Sequence, residues 1–443
     1  MSDEPPFALT DFLEEANLNP ESVSDDQAKR INDALVDLNP ALYGIGGGGG
    51  GDTQPPTLDG SLDSNEFPGG SIEDFSASIA ANEDTAVVGA PGTDLGDGSD
   101  EGVAQVFERS NGSFDQVATL TASQPGDRVG ENVDVEGTTA VVGAPGTTDP
   151  SGGTVGEIYV YTKTGGSWNT TPEIALSNAD NIQPKQSTPD LDPSPISNPG
   201  VDPFGSVLAI ENSTIVAIAQ PDGFFGPGLV QFRPRQSGDP DPSGSGPESS
   251  WVYIDQFVDL TLPTDIGTDN GLSILTNDDS DDQVARVFPV GVTPAFTRLG
   301  PGFDPSNPIS GFGAIGDITN PSGTDPIALV GATDQVLVYE SSGFRGDVPE
   351  FPDTETTSLT PSTGATGAGF GNSSLAVEGT TVVVGAPNEG DGVVYQFQRS
   401  GGSWNQSNRI TAPSGVTNFG VNLSLDLNTI YVGDGSSVYT FSR

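Results

Sequence analysis

Short apolar runs of about six residues recur along most of the chain, and turn-forming glycine, proline and acidic residues separate them. The clearest run is Val87-Val88-Gly89-Ala90-Pro91-Gly92, with Phe75 ahead of it and Val103–Phe107 and Phe114–Leu120 behind. A second copy starts at Val129-Gly130 and carries Val141-Val142-Gly143-Ala144-Pro145-Gly146, Ile158–Tyr161 and Trp168. Further copies start at Phe204-Gly205, Phe312-Gly313, Phe370-Gly371 and Phe419-Gly420. Short strands repeated with turns at a long period are the signature of a β-propeller, with one four-stranded sheet per copy. The Gly-Ala-Pro run has continuous apolar character, as in a strand buried on both faces. In the next strand Val103, Gln105 and Phe107 point to the face opposite Ala104 and Val106. Phe114, Trp168, Trp251 and Trp404 fall on the outer strands, where they predict packing between blades.

One gap between copies, from Phe204 to Phe312, is about twice the usual spacing. It predicts a hidden blade over Ile266–Leu299, with strands at Gly271–Leu275, Gln283–Phe288 and Phe296–Leu299. The expected fold is therefore all-β, a seven-bladed β-propeller of four-stranded blades over residues 56–443. The last copy ends at Val438–Phe441 without an outer strand, while Pro56-Thr57-Leu58 resembles the end of one. Pairing the two chain ends would complete blade seven and remove an open edge. Two segments rich in Pro, Ser, Asp and Gly, Gln183–Pro203 and Pro234–Pro247, read as exposed insertions.

Residues 1–43 follow another pattern. Phe7, Leu9, Phe12, Leu13 and Ala16 suggest a short amphipathic segment. Ser24 and Gln27 form a capping box ahead of a helix over Asp25–Leu38, whose Ala28, Ile31, Ala34, Leu35 and Leu38 share one face. The fold is thus preceded by a short N-terminal α-helical segment and, over residues 44–55, a Gly/Pro-rich linker containing Gly46–Gly51, which reads as a flexible tether. Residues 1–43 are expected to dock onto assembly partners, with a fold-back onto the propeller as the alternative.

Charge narrows the function. The chain has 62 acidic and 14 basic residues, a formal charge of -48, and no histidine or cysteine. Such a surface repels itself in dilute buffer, and molar salt screens that repulsion. A halophilic origin is the simplest reading. No Lys/Arg cluster offers a nucleic-acid groove, and anionic membranes are disfavoured. No apolar run reaches membrane-spanning length, so no membrane insertion is expected. The start, Met1-Ser2-Asp3-Glu4-Pro5-Pro6, lacks the features of a secretion signal. Catalysis finds little support: there is no histidine base, no thiol nucleophile and no phosphate-binding glycine loop, which leaves only pairs of carboxylates.

The Phe-Gly and Gly-Ala-Pro signatures resemble the FG-GAP family, which builds the seven-bladed propeller of integrin α-chains. The resemblance implies an adhesion or ligand-binding module and, in several members, calcium in the loop before the Gly-Ala-Pro strand. Most copies here have short turns instead: Asn82-Glu83-Asp84, Glu136-Gly137-Thr138 and Glu378-Gly379-Thr380. Only Asp317–Asp325 keeps comparable length. Asp317, Thr319 and Asp325 are its candidate ligands for Ca2+ or Mg2+, with Pro321 where an acid is expected. Asp94, Asp97 and Asp100, near Glu101, form a second candidate cluster, and Asn277–Asp282 a weaker one. Phe224 and Phe225, in a turn-rich segment, are the candidate binding anchors, with burial under the Pro234–Pro247 insertion as the alternative. Together these features suggest a non-enzymatic surface protein of a haloarchaeal virus that is assembled in the cytoplasm. It would be a homo-oligomer that attaches to host surface glycoprotein or glycan. The alternatives are a cellular interaction scaffold, in the cytoplasm or at the cell surface, or a carbohydrate-active enzyme.

Overall fold

The computed structural model describes residues 56–62, 72–96, 100–110, 112–122, 125–148, 152–177, 204–219, 228–234, 251–258, 265–277, 284–290, 312–320, 325–345, 348–352, 355–362, 366–426 and 428–443. The helix expected over Asp25–Leu38, the linker, Phe224, Phe225, Asp97 and the strand expected at Phe296–Leu299 lie outside the described residues. So do Gln183–Pro203 and nearly all of Pro234–Pro247.

The chain enters the ring with β1 (Leu58–Leu62). Blade one is β2 (Ser78–Asn82), β3 (Thr85–Ala90), β4 (Val103–Ser110) and β5 (Ser113–Leu120). Blade two is β6 (Val133–Glu136), β7 (Thr139–Ala144) and β8 (Glu157–Thr164), with an outer strand split into β9 (Ser167–Trp168) and β10 (Ile174–Ser177). Blade three is β11 (Leu208–Glu211), β12 (Thr214–Ala219), β13 (Gly228–Pro234) and β14 (Trp251–Val258). In blade four, β15 (Asp265–Asp269), β16 (Leu272–Asn277) and β17 (Val284–Pro289) are described. Blade five is β18 (Gly316–Thr319), β19 (Ile327–Ala332), β20 (Gln335–Glu340) and, after a small hairpin of β21 (Phe344–Arg345) and β22 (Val348–Pro349), β23 (Thr357–Leu359). Blade six is β24 (Leu375–Glu378), β25 (Thr381–Ala386), β26 (Val393–Ser400) and β27 (Ser403–Thr411). Blade seven is β28 (Asn422–Leu425), β29 (Thr429–Gly433) and β30 (Val438–Ser442), completed by β1. All pairings within the blades are antiparallel.

The first strands β2, β6, β11, β15, β18, β24 and β28 neighbour one another in turn, and β28 returns to β2. The ring is closed, and it has seven blades. Each blade buries both faces, because strand alternation points half of its side chains at the preceding blade and half at the following one. The buried apolar residues accordingly form seven clusters, one per blade boundary. Ala80, Val106, Val133 and Tyr161 join blades one and two. Leu62, Val438, Phe75 and Val88 join blades seven and one. The strand after Gly-Ala-Pro is buried on both faces from Val103 to Phe107, so even the amide of Gln105 is enclosed.

Closure uses the two chain ends. Leu62 pairs with Val438, Ser61 with Tyr439, Gly60 with Thr440 and Leu58 with Phe441. The Ser442 N–H donates to the Thr57 carbonyl. The expected strand therefore exists, but it runs beyond Leu58, and its anchor is Leu62: Leu62 is 1% exposed and Leu58 52%. Two of the outer-strand aromatics, Phe114 and Trp168, pack across boundaries, as their positions predict. Phe114 meets the Tyr431 ring edge-on at 5.7 Å, and the Trp168 indole N–H donates to Glu108 at 2.7 Å.

Candidate functional site

The innermost strand of a blade has one edge with no strand beside it, so its N–H groups need other acceptors. In blades three to six the first strand of the preceding blade supplies them as side-chain oxygens. Glu136, Glu211, Asp269 and Thr319 each close a first strand, just before its hairpin turn. Glu136 accepts from Asn212 and Ser213, the turn of blade three. Glu211 accepts from Gly271 in the turn of blade four. Asp269 accepts from Asn320, and Thr319 Oγ1 accepts from Gly379 in the turn of blade six. Further back along the same strands, by two residues in β6 and β18 and by four in β15, the pattern repeats. Asp134 Oδ2 accepts from Ile210 at 2.7 Å, Asp265 Oδ2 from Gly316 at 3.1 Å and Asp317 Oδ2 from Val377 at 2.9 Å. The other oxygen of each takes the N–H of the next residue in its own strand, Val135, Ile266 or Ile318.

This row of acids is half-buried between blades, and removal from water penalises the charged form. Desolvation pushes Asp134 up to about 7, against the bonds from Ile210 and Val135. Glu211 is pushed up to about 8 by burial, with repulsion from Asp269 and Glu136 adding to it. Asp265 is pushed up to about 6 by burial, and Asp317 well above the ordinary carboxylate range for the same reason. Carboxyls poised near neutrality suit proton transfer in principle. Here, however, their oxygens are aimed at backbone donors of the neighbouring blade. The arrangement is a clasp between blades.

The expected cation loop is split by the structure. Asp317 and Thr319 share one face of β18 and both bind the backbone of blade six. Asp325 precedes β19 and is exposed, beyond the pair of Thr319 with Ile327 and on the far side of it from Asp317. Calcium takes roughly six to eight oxygen ligands, carboxylates among them, converging on one point. Asp317 and Thr319 direct theirs at amides, and among the described residues no three acidic side chains converge to hold a metal. The described part of this loop does not fit a calcium site. In the other cluster Asp94 is half-buried and Asp100 exposed. The ordered acid there is Glu101, buried, accepting the Leu95 N–H at 3.0 Å.

Asp134, Glu211, Asp265 and Asp269 are the residues that reading along the sequence missed. Their signal was an acid within the first strands of blades two to five, visible once the copies are stacked in register.

A family-level likeness accompanies this geometry. Two stretches of the chain match the FG-GAP repeat. They are residues 114–161 and 354–397. Each match begins at the outer strand of one blade and ends in the third strand of the next, so the FG-GAP unit straddles a blade boundary. That boundary is where the Phe-Gly and Gly-Ala-Pro residues meet. FG-GAP likeness on a seven-bladed ring supports an FG-GAP-type propeller, which suggests a binding-type scaffold. No curated protein matches the chain.

Proposed function

We propose that this chain is a non-enzymatic recognition propeller working at molar salt, displayed on the surface of a haloarchaeal virus for attachment to host surface glycoprotein or glycan. The observation carrying the recognition reading is the FG-GAP likeness on a closed seven-bladed ring. In such a ring the blade faces are consumed by packing, and the loops at the two ends are left free to vary. The poised carboxyls support a non-catalytic reading, since they serve the backbone of the next blade. The charge of -48 supports a salt-saturated setting. Many copies on one particle would turn weak single contacts into firm attachment.

Binding is tested with the full chain, fluorescently labelled and held in molar KCl, against intact haloarchaeal cells and against cells stripped of their surface layer. Saturable binding that is lost on stripping is the expected result. Equal binding to both, or none to either, would refute attachment. Recovery of the chain in purified virus particles tests the particle assignment, and its absence from them would leave a cellular scaffold as the reading.

A further inference from the structure

The outer strand of blade two is broken. In blades one and six that strand runs without interruption, as β5 (Ser113–Leu120) and β27 (Ser403–Thr411). In blade two pairing stops after Trp168 and resumes at Ile174. The break contains Asn169-Thr170-Thr171, an Asn-x-Thr acceptor triplet, followed by Pro172, which has no N–H to give a sheet. Asn169, Thr170 and Thr171 are all exposed.

Other triplets of this type among the described residues are engaged in the fold. At Asn422 the amide donates to the Ser76 carbonyl across the closing boundary. Ser374, the hydroxyl residue of the triplet at Asn372, is buried and donates to the Gly420 carbonyl. Ser407, which completes the triplet at Asn405, lies within continuous β27 and donates to the Gln396 carbonyl. Asn212 sits in the turn held by Glu136. The Asn169 backbone N–H still donates to the Thr162 carbonyl at 3.0 Å, but its side-chain amide has one weak contact among the described residues, a donation to Thr162 Oγ1 at 3.2 Å. Trp168, buried beneath it and bonded to Glu108, anchors the segment and leaves the next three residues in solvent.

We infer that Asn169 is an N-glycosylation site of this propeller, taking an oligosaccharide from a lipid-phosphate carrier. In that transfer the Asn169 side-chain nitrogen bonds to C1 of the first sugar and loses one proton to base. The bond from C1 to the carrier oxygen breaks, and the carrier leaves as its phosphate anion. Thr171 supplies the hydroxyl that marks the acceptor. A glycan here projects from the rim of the ring, where it disturbs no blade boundary. The inference rests on the surface-display reading and requires export of the chain in place of the expected assembly in the cytoplasm, because transfer takes place outside the cytoplasm.

Peptide mapping by mass spectrometry tests it, on the chain recovered from the cells or particles that make it. The expected result is a glycan mass on the peptide containing Asn169, absent in both Asn169→Gln and Thr171→Val, with the Asn422 and Asn212 peptides bare. An unmodified Asn169 peptide from surface-located protein would overturn the site while leaving surface display intact. Bare protein found only in the cytoplasm would overturn both.

Discussion

Gly89 and Gly130 meet backbone to backbone across the first blade boundary: a Cβ built on Gly89 would lie 2.0 Å from the Gly130 carbonyl oxygen. Gly143 stands to Gly205, Gly331 to Gly371 and Gly385 to Gly420 in the same way, at 1.9, 2.0 and 2.1 Å. The glycine of Gly-Ala is thus the floor on which the Phe-Gly glycine of the next blade rests. The Phe beside it packs edge-on against a third-strand aromatic of its own blade, Phe204 on Phe232 and Phe419 on Phe441, at 6.1 and 5.8 Å. Gly89→Ala or Gly143→Ala forces two backbones apart and should cost about 3 kcal/mol. Gly60→Ala, whose nearest neighbour would be 3.8 Å away, should change little. Chemical denaturation of the three variants checks this, and equal midpoints would refute the contact.

Ring closure predicts a second contrast. Leu62 is buried in the cluster joining blades seven and one, and its truncation leaves a cavity among Phe75, Val88 and Val438. Leu62→Ala should cost about 2–4 kcal/mol, whereas Leu58→Ala, at a half-exposed site, should fall within about 0.5 kcal/mol. Removing residues 1–62 exposes the edge of β30 and should promote aggregation, whereas removing residues 1–51 leaves the closing strand in place. Light scattering and thermal melts of the two truncations distinguish them.

Blade number and closure were legible because Phe-Gly, Gly-Ala-Pro and the outer aromatics are local signals that repeat. Blade four was legible only as a gap. Its neighbour, blade three, carries Ile218 at the glycine position, with its N–H bonded to Val207 as that of Gly143 is to Asn132. The glycine contact is absent there, and the motif with it. The carboxyl clasp was illegible for another reason. Asp134 and Ile210 are 76 residues apart, and nothing near Asp134 announces that its acceptor is needed by another blade's edge. Asp317 and Asp325 read as one loop because of their spacing in sequence, yet Asp317 turns to blade six.

The clasp gives a pH prediction. Asp134, Glu211 and Asp265 hold protons more tightly when folded than the ordinary carboxylate near 4 does in the unfolded chain. The folded state therefore binds more protons between pH 4 and 8, and stability falls as pH rises through that window. The benefit is full below about pH 4 and lost above the raised values, near 6, 7 and 8. Melting temperature at constant molar salt should climb from pH 8 to pH 5. Asp134→Asn keeps one acceptor for Ile210 without the charge and should flatten the slope. A wild-type melt independent of pH over that range would refute the raised carboxyls.

Salt should act in the opposite sense on two populations of charge. The excess of 48 negative charges repels over distances that lengthen as salt is diluted, from about 3 Å at 1 M to about 10 Å at 0.1 M. Two of the described ion pairs span boundaries: Lys163 of blade two reaches Glu108 of blade one at 2.7 Å, and Arg399 of blade six reaches Glu340 of blade five at 2.9 Å. Salt weakens those pairs, but each is partly exposed and contributes no more than about 1 kcal/mol. Repulsion summed over the surface is the larger effect, so stability should rise steeply with KCl. Lys163→Met should lower the curve by less than about 1 kcal/mol, most at low salt where the pair is least screened, and so steepen its slope slightly. Denaturation midpoints measured across a KCl series decide this, and a midpoint that falls with added salt would mean that the boundary pairs dominate the surface charge.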